Sequence, residues 1–116
     1  MNTFHEINAQ ELFELLSKQP VLLVDVRNQD EVMRGKIPSA IHIPLAMLPV
    51  EYEPLKKVEN LVFYCHSGIR SAHAAAFAVS KGCHNVFNLV GGVLAWEKAK
   101  FEFETQEDKV TQNAFS

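Results

Sequence analysis

The sequence has few cysteines, no long apolar run and no excess of basic residues. Two cysteines among 116 residues cannot form the disulfide framework of a small secreted domain. No apolar stretch approaches the roughly 20 residues that span a bilayer, which argues against a membrane protein. The formal net charge of −3 argues against a nucleic-acid partner, because such a partner needs a basic face. Residues 1–14 carry no signal-peptide pattern, so we expect a cytoplasmic protein in which a thiol stays reduced.

The length and composition of the chain are sufficient for one folded domain. The content of 47% hydrophobic and 22% charged residues is ordinary for a globular protein of this length. We predict one domain over residues 1–102. Residues 103–116 read as a polar C-terminal tail that is poorly ordered or loosely packed.

Short apolar runs alternate with amphipathic stretches along the chain. The predicted strands cover residues 4–7, 21–25, 40–43, 61–65 and 86–90. The predicted helices cover residues 9–18, 29–33, 71–81 and 93–100, and the two prolines within residues 45–57 allow only short helical turns there. This alternation predicts an α/β fold with a parallel sheet and helices on both faces. In such sheets ligands bind beyond the carboxyl ends of the strands, where Cys65, Asp25 and Arg27 are expected.

The most informative segment is the run of residues 65–71, which we call the cysteine loop. It follows an apolar strand and precedes a helix, so the Cys65 thiol would face backbone N–H groups and the positive end of a helix dipole. Both effects favour the thiolate, which is the nucleophilic form of cysteine. Cys65 is therefore the predicted catalytic residue. The predicted substrate-binding residues are His66, Ser67, Gly68, Ile69, Arg70 and Ser71.

Some of these residues have two interpretations. Arg70 either steadies an anionic donor or closes the loop through a salt bridge to Asp25 or Glu31, and the sequence leaves both open. The hydroxyls of Ser67 and Ser71 either donate to the sulfur or cap the following helix, and capping is favoured for Ser71. Gly68 is predicted to let the backbone turn or approach a ligand.

Other polar groups are predicted to play smaller parts. His66 adjoins the nucleophile, but neighbouring loop residues usually point apart, so a direct role for it is the less favoured interpretation. Asp25 is predicted to support the site by accepting loop N–H bonds and pairing with an arginine, whereas Arg27 either supports or lines the site. Cys83 falls after a long helix, near the opposite end of the sheet, so we expect a buried cysteine and no internal disulfide. The histidines and cysteines lack metal-ligand spacing, so no metal site is predicted.

Three motifs in this order resemble the rhodanese family. They lie at residues 23–44, 62–71 and 90–96, and the resemblance covers about residues 4–100. It implies a five-stranded, mostly parallel α/β sheet. It also implies sulfur transfer through a persulfide on Cys65, without any other cofactor. Lys36 and Ser39 stand where the family often has His and Gly.

The length of the cysteine loop favours sulfur transfer over phosphoryl transfer. Four residues separate Cys65 from Arg70, whereas cysteine phosphatases have a longer spacing. A smaller ring suits a sulfur atom better than a phosphate. The sequence therefore predicts a thiosulfate sulfurtransferase that moves a sulfane sulfur from thiosulfate or a similar small anionic donor to cyanide or a thiol. A thioredoxin-like or other sulfur-relay protein is a candidate acceptor.

Three other functions are alternatives for the same loop. The first is a persulfide carrier or adaptor module that a partner protein loads. The second is a phosphatase or arsenate reductase, which the short loop disfavours. The third is a non-catalytic binding module, which the presence of Cys65, Gly68 and Arg70 disfavours.

Overall fold

Five strands form a single all-parallel sheet in the computed structural model, which describes residues 3–105. The strands are β1 (His5–Ile7), β2 (Leu22–Asp25), β3 (Ile41–His42), β4 (Leu61–Tyr64) and β5 (Val86–Leu89). Their order across the sheet is β1-β5-β4-β2-β3. The predicted α/β class and five-stranded parallel sheet are thus confirmed.

Helices and short helical turns connect the strands. The helices are α1 (Ala9–Lys18), α2 (Gln29–Arg34), α3 (Leu48–Glu51), α4 (Ile69–Ser80) and α5 (Gly92–Lys98). Two 3-10 turns, Leu45–Met47 and Glu53–Lys57, flank α3. Prolines at the starts of α3 and of the second turn fit these short elements, because a helix tolerates proline in its first turn. Among the described residues, no helix has the length and apolar character required to cross a membrane.

Local sequence signals set where the first helix begins and ends. The side chain of Asn8 accepts the N–H of Glu11 at 2.8 Å, and the Glu11 carboxylate accepts the N–H of Asn8 at 2.9 Å. This reciprocal capping box satisfies two N–H groups that an α-helix leaves unpaired. The helix ends before Pro20, which cannot continue it.

Side chains of the central strand β4 alternate between two cores. Leu61 and Phe63, with Cys65 beyond them, pack in the core that includes α4 residues Ala74, Ala75 and Ala78. Val62 and Tyr64 pack in the other core, which α1 and α5 help to form. All four β4 side chains are fully buried. The period-2 alternation of a strand therefore places Cys65 on the same side of the sheet as α4.

The segment after α5 packs against α1, α5 and the residues that follow α2. Phe101 stacks on Phe13 with ring centroids 4.3 Å apart, and the Trp96 ring N–H donates to the Glu102 carbonyl at 2.8 Å. Glu104 and Lys36 exchange backbone hydrogen bonds of 2.8 and 2.9 Å. Residues 103–105, the start of the predicted tail, are thus packed against the domain. The rest of that tail, residues 106–116, lies outside the described residues.

Candidate active site

Cys65 lies directly beyond the carboxyl end of β4, and the cysteine loop leads from it into α4. Three groups of the loop and helix point at its sulfur. The Gly68 N–H lies 3.2 Å from Sγ, the Ser71 N–H lies 3.4 Å away and the Ser71 hydroxyl 3.3 Å away. Cys65 is only 1% exposed, so a reactant reaches Sγ through the loop rather than across an open surface.

The first turn of α5 holds the back of the cysteine loop. The N–H of Val93 donates to the Cys65 carbonyl at 2.9 Å, and the N–H of Leu94 donates to the His66 carbonyl at 3.2 Å. In a planar trans peptide the carbonyl and the N–H point in opposite directions. Because these two carbonyls face α5, the N–H groups of His66 and Ser67 point away from α5, and that of Ser67 donates to Cys65.

Two glycines make this close packing possible. Gly92 has φ +54, and a Cβ there would lie closer than 3.0 Å to the carbonyl oxygens of Cys65 and His66. Gly68 is the N-cap of α4 with φ +108, a conformation that residues with a Cβ rarely adopt. A Cβ on Gly68 would also lie 3.2 Å from the backbone nitrogen of Gly91. The loop and α5 therefore approach each other at backbone contact distance.

Opposing effects determine the ionisation of Cys65. Burial of the sulfur raises its pKa. The Ser71 hydroxyl and the N–H groups of Ser71, Gly68 and Ser67 stabilise the thiolate and outweigh burial, so the pKa of Cys65 lies below the ordinary thiol value. Nearby donors of this kind prepare a cysteine for nucleophilic attack.

The expected capping role of Ser71 is wrong. The N-cap of α4 is Gly68, because the helix begins within the cysteine loop and two residues earlier than predicted. Ser71 is in the first turn, fully buried, and its hydroxyl lies between Cys65 Sγ and the Asn88 side chain. Its position in the helix therefore directs the hydroxyl at the sulfur of Cys65.

Sequence reasoning missed Asn88. It lies on β5, is 3% exposed, and contacts Ser71 Oγ at 2.5 Å and the Gly68 carbonyl at 3.2 Å. The available signal was a polar residue inside an otherwise apolar strand, since a buried amide needs hydrogen-bond partners.

Arg70 pairs with Glu31. Its two terminal nitrogens lie 2.7 and 2.9 Å from the two carboxylate oxygens of Glu31, in a bidentate arrangement. Glu31 also accepts the N–H of Asn28 at 3.0 Å. The hydrogen bonds from Arg70 lower the pKa of Glu31 to about 2 although partial burial opposes them. Of the two predicted salt-bridge partners of Arg70, Asp25 and Glu31, the structure places Glu31 beside it, and this pair connects α2 to the cysteine loop.

Asp25 and Arg27 form a buried pair beside β4. Asp25 is fully buried and Arg27 is 4% exposed. The carboxylate accepts the backbone N–H of Arg27 at 3.0 Å and its guanidinium at 2.7 Å. The guanidinium also donates to the Gly35 carbonyl at 2.6 Å. These bonds hold the end of β2 against the turn after α2, so the pair stabilises the edge of the sheet that carries the loop.

The remaining loop side chains face outwards. His66 and Ser67 are exposed, and Ile69 is 68% exposed. A cavity of about 470 Å³ lies beside the loop. Its walls are Arg27, Glu31, Arg34, Gly35, His66, Arg70, Val93, Glu97 and Phe103. A space of this size accommodates an organic molecule as well as a small inorganic anion.

Cys83 is remote from these contacts. It is 5% exposed, packs in the core, and its N–H donates to the Ala78 carbonyl at 3.0 Å beyond the end of α4. Burial raises its pKa. Both cysteines are free thiols. The two pKa values are thus shifted in opposite directions, and within residues 3–105 hydrogen-bond donors are directed at the sulfur of Cys65 but not at that of Cys83.

Comparison with known proteins agrees with this geometry. The family model described as a rhodanese-like domain matches residues 8–99. A sulfurtransferase of Allochromatium vinosum is 37% identical over 95 residues, which cover 81% of this chain and 89% of that protein. Thiosulfate sulfurtransferase GlpE of Coxiella burnetii is 32% identical over 94 residues, covering 81% and 88% respectively. A crystal structure of a rhodanese-related protein from Thermoplasma volcanium superposes with a TM-score of 0.79 at 28% identity, covering 87% of this chain and 98% of that one.

Proposed function

Because the chain belongs to the rhodanese-like domain family, we propose that it is a sulfurtransferase that carries a sulfane sulfur on Cys65. The proposed donor is thiosulfate or a similar small anion, and the proposed acceptor is a thiol or cyanide. The reaction needs a reduced Cys65, so we place it in a reducing compartment such as the cytoplasm. The protein itself supplies the covalent intermediate, and the proposal includes no other cofactor.

The first step loads the cysteine. The Cys65 thiolate attacks the outer sulfur of thiosulfate, a bond forms between the two sulfurs, and sulfite leaves with the electrons of the broken S–S bond. The negative charge moves from Sγ to the outer sulfur of the persulfide. The N–H groups of the cysteine loop stabilise that charge, because preorganised donors need no rearrangement during the reaction.

The second step transfers the outer sulfur from Cys65 to the acceptor. Cyanide or a thiolate attacks the outer sulfur, the persulfide bond breaks, and Cys65 regains its thiolate. The products are thiocyanate or a new persulfide. This is covalent catalysis in two half-reactions, for which ping-pong kinetics are the expected signature.

One observation carries the proposal: three donors converge on Cys65 Sγ within 3.4 Å at the base of a short, closed loop. This arrangement supports a nucleophilic thiolate, and the four-residue spacing between Cys65 and Arg70 favours sulfur transfer over phosphoryl transfer. Arg70 is paired with Glu31 at the rim, where it can attract an anionic donor without reaching the sulfur.

The deciding experiment is intact-mass measurement of the reduced protein after incubation with thiosulfate. We expect the wild type to gain one sulfur atom and to lose it on addition of cyanide or a thiol. Cys65→Ala should gain none. Cys83→Ala is the matched control, since it removes the other buried thiol, and it should keep the adduct. A sulfur adduct on Cys65→Ala would refute the proposed mechanism.

A second candidate function is a persulfide carrier that a partner protein loads and that passes the sulfur on to an acceptor, such as a thioredoxin-like or other relay protein. Two exposed apolar side chains beside the loop favour it: Ile69 is 68% exposed and Leu94 51% exposed. Apolar groups at the rim suit contact with a protein surface. Loading from a protein persulfide donor, with no loading from thiosulfate, would favour this function over the first.

A further inference from the structure

Asn88 bridges the two parts of the structure that surround Cys65. Its side-chain nitrogen donates to the Gly68 carbonyl at 3.2 Å, and its side-chain oxygen accepts from Ser71 Oγ at 2.5 Å. The residue is 3% exposed, so water does not replace these partners. Asn88 thus contacts both the cysteine loop and the helix that follows it, without touching the sulfur.

The orientation of the amide follows from its partners. The Gly68 carbonyl only accepts hydrogen bonds, so the NH2 group of Asn88 must face it. The amide oxygen then faces Ser71 and accepts the hydroxyl proton.

The Ser71 hydroxyl has one proton and two acceptors. Asn88 Oδ1 lies 2.5 Å from Oγ, and Cys65 Sγ lies 3.3 Å from it. A hydroxyl donates one hydrogen bond at a time, so donation to the sulfur withdraws the proton from Asn88. When Cys65 is a thiol, its S–H can donate to Oγ while the hydroxyl donates to Asn88. When Cys65 is a thiolate, the sulfur and the amide oxygen compete for the same proton.

We propose that Asn88 is a positioning residue that acts on Cys65 through Ser71, by competing with the sulfur for the Ser71 hydroxyl proton. The thiolate is therefore less stable than it would be if Ser71 had no competing acceptor. The reason is that donation of the hydroxyl proton to the sulfur leaves the buried amide oxygen of Asn88 unpaired. The proposal rests on the proposed role of Cys65 as the nucleophile.

The same competition assists sulfur transfer. In the persulfide the charge resides on the outer sulfur, and Sγ becomes a neutral, weakly accepting atom. The hydroxyl then returns to Asn88, and the buried amide oxygen regains its partner. Asn88 therefore favours the charge distribution of the persulfide over that of the free thiolate.

Other charged and titratable groups surround the loop from several elements. They are Arg70 on α4, Glu31 and Arg34 on α2, the Asp25–Arg27 pair at the end of β2, His66 in the loop and Glu97 on α5. Substitution of Asn88 or Ser71 removes none of these charged groups. A change in the ionisation of Cys65 between such variants therefore reports on the hydroxyl and the amide.

The test is the pH dependence of Cys65 alkylation by iodoacetamide, followed by peptide mass mapping. Asn88→Leu keeps most of the side-chain volume and removes the competing acceptor. We expect the midpoint of the profile to fall, so that alkylation at a pH below the wild-type midpoint becomes about three- to tenfold faster. Ser71→Ala removes the donor to sulfur and should raise the midpoint. In the Ser71→Ala background, Asn88→Leu should leave the midpoint unchanged, because the proton for which it competes is gone.

Controls separate this role from a structural one. Asn60 is also buried, and its amide donates to the Pro20 carbonyl at 2.9 Å, before the start of β4 and away from the loop. Asn60→Leu should change stability and leave the midpoint where it is. Asn88→Ala, which adds no bulk, is made in parallel in case the leucine variant folds poorly.

The proposed competition and a purely structural role for Asn88 predict different shifts of the midpoint. A merely structural role for Asn88 would loosen the loop N–H groups, and the midpoint would rise or stay constant. That result, or an equal fall in both Ser71 backgrounds, would overturn the proposal. Because alkylation needs no sulfur donor, a protein that fails to load from thiosulfate can still show the predicted fall, so failure of this proposal and failure of the proposed function are distinguishable.

Discussion

Replacing Gly92 by alanine tests whether the close approach of α5 organises the cysteine loop. The new Cβ would lie within 3.0 Å of the Cys65 and His66 carbonyl oxygens, which belong to the backbone and cannot rotate away. The first turn of α5 must then move back. That movement stretches the two hydrogen bonds that orient the loop, from Val93 to Cys65 and from Leu94 to His66.

The magnitude can be worked from these contacts. A residue with a Cβ at φ +54 costs about 1–2 kcal/mol relative to glycine. Weakening two buried backbone hydrogen bonds costs about 1 kcal/mol each. We therefore expect Gly92→Ala to lower the free energy of unfolding by about 3–4 kcal/mol. We also expect slower Cys65 alkylation, because the N–H groups of His66 and Ser67 lose their orientation.

Gly82 provides a matched control. It has φ +96, yet a Cβ there would meet nothing within 4 Å. Gly82→Ala should therefore cost only the conformational strain of about 1–2 kcal/mol and leave Cys65 unaffected. Urea denaturation gives the free energies, and alkylation rates report on the site. If the two variants lost equal stability and both kept the wild-type alkylation rate, the argument from close approach would be wrong.

Three further predictions concern the charged groups and thiols. The pKa of Glu31 is lowered to about 2, so its pairing with Arg70 contributes stability above the unfolded pKa of about 4.5 and loses it as the pH falls from there towards 2. Between pH 6 and pH 2, the free energy of unfolding from urea denaturation should fall by about 1 kcal/mol more in the wild type than in Glu31→Gln, whereas Asp30→Asn, in an exposed pair with Arg34, should behave like the wild type. Iodoacetamide should modify Cys65 before Cys83 at neutral pH, with the Cys65 rate falling as the pH drops through its lowered pKa, and equal labelling in mass mapping would contradict the geometry. Arg70→Ala should raise the KM for thiosulfate with little change in kcat if Arg70 binds the donor, whereas unchanged KM would restrict Arg70 to its salt bridge with Glu31.

Much of the architecture followed from local patterns. The apolar runs bounded by prolines and polar residues predicted all five strands, and Asn8 with Glu11 predicted the start of the first helix. These signals are short-range, since hydrophobic periodicity and capping depend on residues a few positions apart. The strand–loop–helix setting of Cys65 was readable for the same reason.

The sequence did not predict which groups several of the polar residues would contact. Arg70 had two candidate carboxylates, and only the packing of α2 against the cysteine loop brings Glu31 to it. Ser39 stands where the family often has glycine, and its φ is +72. This is the left-handed conformation that residues other than glycine seldom adopt, so the chain keeps it with a serine. Neither fact is visible in sequence spacing.

The sequence alone determined the order of the elements, the class of fold and the strand–loop–helix setting of Cys65, because local propensity and periodicity specify each of them. Only the tertiary structure decided what surrounds the sulfur. Asn88 and Gly92 lie more than twenty residues after Cys65 in the chain, and parallel strand pairing brings them to it. One supplies an acceptor for the Ser71 hydroxyl, and the other allows backbone contact between α5 and the loop. Hydrogen bonds and steric contacts act over a few ångströms, so they depend on distances in the folded chain and not on distances along it.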